Sequence, residues 1–125
     1  MWNAIVASWQ AGCSLAGCSA GAGALTTQAA DVRRGARANP GLALVDNLAV
    51  IPHYDRMVSW RPRFLSEALE QLVDGVTLVV IDEDTALVGD QNGWTVMGRQ
   101  SVHILSGIKQ SLGHGASWRP GGDDR

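Results

Sequence analysis

Apolar residues recur at helical spacing from the start of the chain. Ile5, Val6 and Trp9 share one face of Trp2 to Gln10, and Gly12 is a natural stop. The short apolar run Cys13 to Ala16 reads as a buried strand. Ala20 to Ala30 reads as a small-residue helix able to pack closely on a sheet. Asp31 to Gly41 holds Arg33, Arg34, Arg37 and Asn39-Pro40-Gly41, the composition of an exposed connection. The largely apolar stretch Leu42 to Ile51 predicts a buried strand running toward Pro52-His53. A second clear helix is predicted from Pro62 to Asp74, with Phe64, Leu65, Ala68, Leu69, Leu72 and Val73 on its apolar face. Pro62 suits its first turn and Gly75 its C-terminal cap.

Val76 to Ile81 is a continuous β-branched and leucine run, the pattern of a strand covered on both faces. It ends in Asp82-Glu83-Asp84. Thr85 to Val88, Trp94 to Met97 and Ser101 to Leu105 then read as short strands around Gly-Asp-Gln-Asn-Gly and Gly-Arg-Gln turns. From Gly113 onward, glycine, serine, proline and charge predict a disordered tail over residues 113–125, behind a domain of residues 1–112. Helix–strand alternation followed by hairpins argues for an α/β layer fold.

Composition narrows the class. At 125 residues the chain holds one domain at most, and a hydrophobic fraction of 46% is enough for a core. Ten basic against twelve acidic residues give a net charge of −2. No basic stripe favours nucleic acid, and neither sign dominates enough to favour a membrane surface. No Lys or Arg precedes Arg33, and Trp2, Asn3, Gln10 and Gly12 interrupt any secretory apolar region. No run reaches the ~18 apolar residues of a membrane span. A cytoplasmic protein is expected. Cys13 and Cys18 read as buried reduced thiols, since two cysteines make neither a disulfide framework nor a metal site. With no phosphate-binding loop and no His/Cys pair at ligand spacing, neither cofactor nor metal is expected.

Candidate chemistry begins at Gly17-Cys18-Ser19-Ala20-Gly21, a G-x-S-x-G pentapeptide. Glycines around a serine let the backbone turn sharply from strand to helix and lift the hydroxyl clear of the sheet. The following residue offers a backbone N–H near the helix N-terminus, where developing negative charge is favoured. A serine hydroxyl needs a base within hydrogen-bond reach, oriented by a third group. His53 sits in the polar segment Pro52-His53-Tyr54-Asp55-Arg56 after an apolar strand and is the best-placed base. His103 alternates within a hairpin strand and reads as a surface or half-buried residue. His114 lies between glycines in the tail, too weakly anchored to position a proton transfer. One of Asp82, Glu83 and Asp84, at the C-terminal end of the most strand-like run, would orient the base.

These segments resemble the S51 serine peptidases, the group of aspartyl dipeptidase and cyanophycinase. Ala16-Gly17-Cys18-Ser19-Ala20-Gly21-Ala22 is similar to the family's nucleophile elbow. Leu48-Ala49-Val50-Ile51-Pro52-His53-Tyr54-Asp55-Arg56 is similar to its histidine segment. Val80-Ile81-Asp82-Glu83-Asp84-Thr85-Ala86-Leu87-Val88 is similar to its acidic segment. The resemblance implies Ser19 as nucleophile, His53 as general base and acid, Glu83 as the orienting carboxylate and the Ala20 N–H as an oxyanion donor. It implies hydrolysis of a peptide bond next to an aspartyl residue through an acyl-enzyme. The implied fold is a three-layer α/β sandwich like the class I glutamine amidotransferase domain. In the family several strands and a glycine-rich loop precede the elbow, so this chain is expected to correspond to the C-terminal portion. A second copy or another chain would then complete it.

Two other readings compete. An α/β-hydrolase esterase shares the elbow but orders its triad serine, acid, histidine, which here requires Asp82 or Asp84 with His103. A non-catalytic amidotransferase-like binding module would keep the same segments as fold determinants. Arg56, Arg61 and Arg63 either meet a substrate carboxylate, Arg56 being the candidate, or form an exposed basic loop and helix start.

Overall fold

The computed structural model describes residues 1–31, 33 and 36–121. In chain order its elements are α1 (Trp2–Gln10), α2 (Ala20–Ala24), β1 (Gln28–Asp31), β2 (Arg37–Pro40), β3 (Leu48–Pro52), α3 (Tyr54–Trp60), α4 (Pro62–Glu70), β4 (Thr77–Ile81), β5 (Thr85–Asp90), β6 (Gly93–Gly98), β7 (Val102–Ile104), β8 (Gln110–Leu112) and β9 (Ser117–Trp118). None of the helices described is long and apolar enough to cross a membrane.

Among the described residues this is a mixed α/β fold with three sheets. The central one has the order β3-β4-β7-β8, with β3 and β4 parallel and the other pairs antiparallel. Parallel pairing needs a long crossover, which α3 and α4 supply between β3 and β4. Because side chains alternate along a strand, β3 and β4 feed two cores. Ala49, Ile51, Leu78 and Val80 meet Met57, Phe64 and Ala68 of α3 and α4. Leu48, Val50 and Val79 meet Val102, Ile104, Val96 and Trp118 on the opposite face, with Ala22 of α2 packed alongside. That second face is covered by the antiparallel sheet β5-β6-β9 as well as by α2. β1 and β2 form a separate antiparallel ribbon.

Several expectations need correction. Cys13 to Ala16 is not a strand: the segment leaves α1 as mostly exposed coil, and no described strand lies beside it to complete a ladder. Both thiols are therefore exposed and free, not buried. The helix expected to Ala30 stops at Ala24, because the Thr26 hydroxyl turns back to the Gly23 carbonyl at 2.6 Å. Side-chain competition of this kind ends a helix, and the chain continues into β1. Part of the expected connection instead forms β2; Arg34, which was placed in it, lies outside the described residues. The tail is ordered at least to β9. Trp118, only 9% exposed, docks in the second core while Trp94 and Thr95 of β6 pair with Trp118 and Ser117. Burying one indole outweighs a polar local composition. Residues 122–125 of that expected tail lie outside the described residues.

Candidate active site

The C-terminal ends of the parallel strands β3 and β4 lie side by side, Pro52 opposite Ile81. Such an edge is where open α/β sheets place their sites. His53 follows β3 directly, Asp82-Glu83-Asp84 follows β4, and Ser19 caps α2, which packs on β3.

Each of these three segments carries an unusual backbone. Ser19 sits at φ 52°, ψ −127°, a conformation that a residue with a Cβ adopts only when its surroundings hold it there. The glycines explain how. A Cβ on Gly17 would come 2.5 Å from the Gly21 carbonyl oxygen and 2.8 Å from Leu25 Cδ1, so the elbow closes only over glycine. A Cβ on Gly23 would lie 2.9 Å from the Val50 carbonyl oxygen, so glycine lets α2 approach β3 closely. Gly21, by contrast, faces open space and is not sterically required. His53 is left-handed at φ 57° as the N-cap of α3, and Asp84 is left-handed at φ 54°.

The side chains meet in a line. Ser19 Oγ lies 2.9 Å from His53 Nε2, and His53 Nδ1 lies 3.3 Å from Glu83 Oε1. A carboxylate can only accept, so the tautomer that suits this arrangement has the ring proton on Nδ1, facing Glu83, and Nε2 free to accept the serine hydroxyl. Arg56 Nε donates to the other oxygen, Glu83 Oε2, at 3.3 Å. The arginine that the sequence offered for a substrate carboxylate thus engages the site's own acid. Arg61 and Arg63 are exposed at the start of α4.

Three residues that the sequence did not single out hold the Glu83 peptide. Asp55 Oδ1 accepts the Glu83 N–H at 2.8 Å, and Asp55 Oδ2 accepts from Gln100 Nε2 at 3.3 Å. Gln100 Nε2 also donates to the Glu83 carbonyl at 3.1 Å, as does the Thr85 hydroxyl at 3.0 Å. Asp55 lay within the histidine segment and Gln100 within a predicted turn, but nothing local indicated that they meet.

The Glu83 N–H holds the Asp55 carboxyl below the usual aspartate range, against a smaller opposing effect of burial and with help from Gln100. A carboxyl with a folded pKa below its unfolded value adds stability that is complete above about pH 4 and lost as pH falls through the folded value. We therefore expect Asp55→Asn to be less stable than wild type at pH 7, with the gap narrowing below about pH 4. Urea unfolding at pH 7 and in acid measures this. A gap that stays constant with pH contradicts it.

His103 belongs to a different cluster. Its Nε2 lies 3.2 Å from Asp82 Oδ2 and its Nδ1 2.8 Å from Ser111 Oγ, with the Tyr54 ring 4.8 Å away between centroids. The serine–acid–histidine order through His103 is thereby contradicted: Ser19 reaches His53, whereas Asp82 and His103 lead to Ser111. His114 is anchored more firmly than its neighbours suggested, its Nδ1 accepting the Gly98 N–H at 3.1 Å.

A mixed α/β fold that aligns a strained serine, a histidine and a carboxylate at one sheet edge defines a class of proteins with an elbow-borne serine. The particular group comes from comparison with known proteins. Residues 1–97 match peptidase family S51, and the chain belongs to that family. It is similar to a peptidase from an acI-B1 Actinobacterium, known from a crystal structure, at 38% identity and a TM-score of 0.81. The match covers 94% of this chain and 50% of that one, so the chain spans about half the length of that peptidase. No curated protein matches it.

Proposed function

We propose that the chain acts as a serine-type peptidase, cleaving peptide bonds next to an aspartyl residue through an acyl-enzyme. The observation that carries this reading is the continuous line from the strained Ser19 through His53 to Glu83, at 2.9 and 3.3 Å. Ser19 Oγ attacks the scissile carbonyl while His53 Nε2 takes its proton, later returning it to the leaving amine. Glu83 keeps the proton on Nδ1 and stabilises the imidazolium that forms. The Ala20 N–H, first in α2, has no acceptor one turn back in the helix and is the donor we assign to the developing oxyanion. The side chain of Arg56 is 66% exposed, so its outer nitrogens can also meet a substrate carboxylate while Nε holds Glu83.

Helices on one face of the central sheet, and α2 on the other, support a class I glutamine amidotransferase-like architecture for the complete domain. Hydrolysis of dipeptides with N-terminal aspartate, compared with N-terminal asparagine, tests the proposal. We expect the aspartyl substrate to be turned over and the asparaginyl one to fall by at least about 10²-fold, the effect of a lost charged contact of about 3 kcal/mol. A folded chain that cleaves neither contradicts the peptidase reading, and equal turnover contradicts the aspartyl preference.

A further inference from the structure

One short helix touches Glu83 at three points. His53, the N-cap of α3, meets Oε1; Asp55 takes the backbone N–H; and Arg56 meets Oε2. Glu83 needs this support. It lies beyond the last paired residue of β4, before a left-handed Asp84, so no strand ladder fixes its backbone. Its long side chain would otherwise sample several rotamers, because only part of it is buried. The carbonyl side of the same residue is held by Gln100 and Thr85, and the Gln100 N–H donates to Thr85 Oγ1 at 3.0 Å. Gln100 Nε2 closes the loop, shared between Asp55 Oδ2 and the Glu83 carbonyl.

We propose that Asp55 is a positioning residue that fixes the spacing between His53 and Glu83, by gripping the glutamate backbone from the helix that His53 caps. An aspartate in the first turn of a helix also has an ordinary role, since it favours the helix dipole. That role needs only its charge near α3. Here both carboxylate oxygens reach across to the Glu83 turn and its Gln100 brace, which ties the two elements together. Displacing reacting groups by about 1 Å can lower turnover by about 10²-fold. This inference rests on the peptidase reading for its kinetic consequence, but not for its structural one.

The test uses Asp55→Ala, Asp55→Asn and Gln100→Ala in the full chain. Asparagine keeps an oxygen for the Glu83 N–H, whereas alanine does not. In Asp55→Ala we expect kcat to fall by about 10²-fold with KM little changed, as for a group that aligns the transition state. Asp55→Asn should recover most of that loss, and Gln100→Ala should lower kcat more mildly. The NMR resonances of the His53 imidazole, whose Nδ1 lies 3.3 Å from Glu83 Oε1, should be unchanged in Asp55→Asn and shifted or weakened in Asp55→Ala. Wild-type kcat and an intact resonance in Asp55→Ala overturn the proposal, as does an Asp55→Asn variant as impaired as the alanine. Should Asp55→Ala fail to fold, Gln100→Ala decides: a weakened resonance supports the clasp and an unchanged one overturns it. If the wild-type chain hydrolyses no peptide, the peptidase reading fails while the resonance still decides the role of Asp55.

Discussion

Ser19→Ala should reduce kcat/KM for peptide hydrolysis by about 10⁴-fold or more while leaving thermal stability nearly unchanged. The substitution removes only Oγ, which reaches His53 Nε2 at an exposed position, and alanine keeps the same Cβ at φ 52°. His53→Ala should cost about as much. The double variant should be little worse than either, because serine and histidine act as one unit and their effects do not add. Additive losses would mean that the 2.9 Å contact does not function as a relay. Kinetics on the three variants, with unfolding curves as a control, make the check.

Gly98→Ala should have the second-largest effect, and it acts through the backbone. Gly98 has φ +127°, where a side chain is strained, at a cost of about 1–3 kcal/mol. Its added Cβ would also lie 2.2 Å from the Asp84 carbonyl oxygen and 2.8 Å from Thr85 Cα. Backbone atoms cannot rotate away, so the turn carrying Glu83 must shift. The Arg99 N–H bond to the Asp84 carbonyl, 2.9 Å, would be lost with it. We expect lower stability and a drop in turnover of about 10²-fold from the displaced carboxylate. Gly21→Ala is the matched control: the added Cβ meets nothing within 4 Å, and alanine in a helix is about 0.5–1 kcal/mol more favourable than glycine. Thermal unfolding should therefore separate the two variants in opposite directions.

What could be read from the chain follows from the range over which each signal acts. α1 was legible because apolar spacing and a stop residue are local, and β4 because a Val-rich run serves two cores; α4 starts at Pro62 as expected but ends at Glu70, with Gln71 and not Gly75 at its C-terminal cap. The Cys13 to Ala16 run has strand composition, but a strand exists only with a neighbour, and neighbours are not written locally. α3 was hidden because seven residues with one buried side chain, Met57, show little periodicity. Trp118 sat in a polar stretch whose fate was decided by a core assembled from β3, β4 and β7. The same distinction holds within the site. Ser19 and His53 could be named because each sits in its own short segment, whereas the residues alone left Asp82, Glu83 and Asp84 open and only the family resemblance implied Glu83. The clasp of Asp55, Gln100 and Thr85 joins residues up to 45 positions apart through single hydrogen bonds, which leave no periodic trace.

Peptidase chemistry in this chain requires Ser19 to be an activated nucleophile. A fluorophosphonate reagent followed by peptide mass mapping measures this directly, and being serine-directed it avoids the exposed Cys18 thiol. Ser111, bonded to His103, provides an internal comparison. We expect one label on the peptide containing Ser19, absent from Ser19→Ala and strongly reduced in His53→Ala. A folded wild-type chain that takes no label, or takes it at another serine, would contradict this expectation.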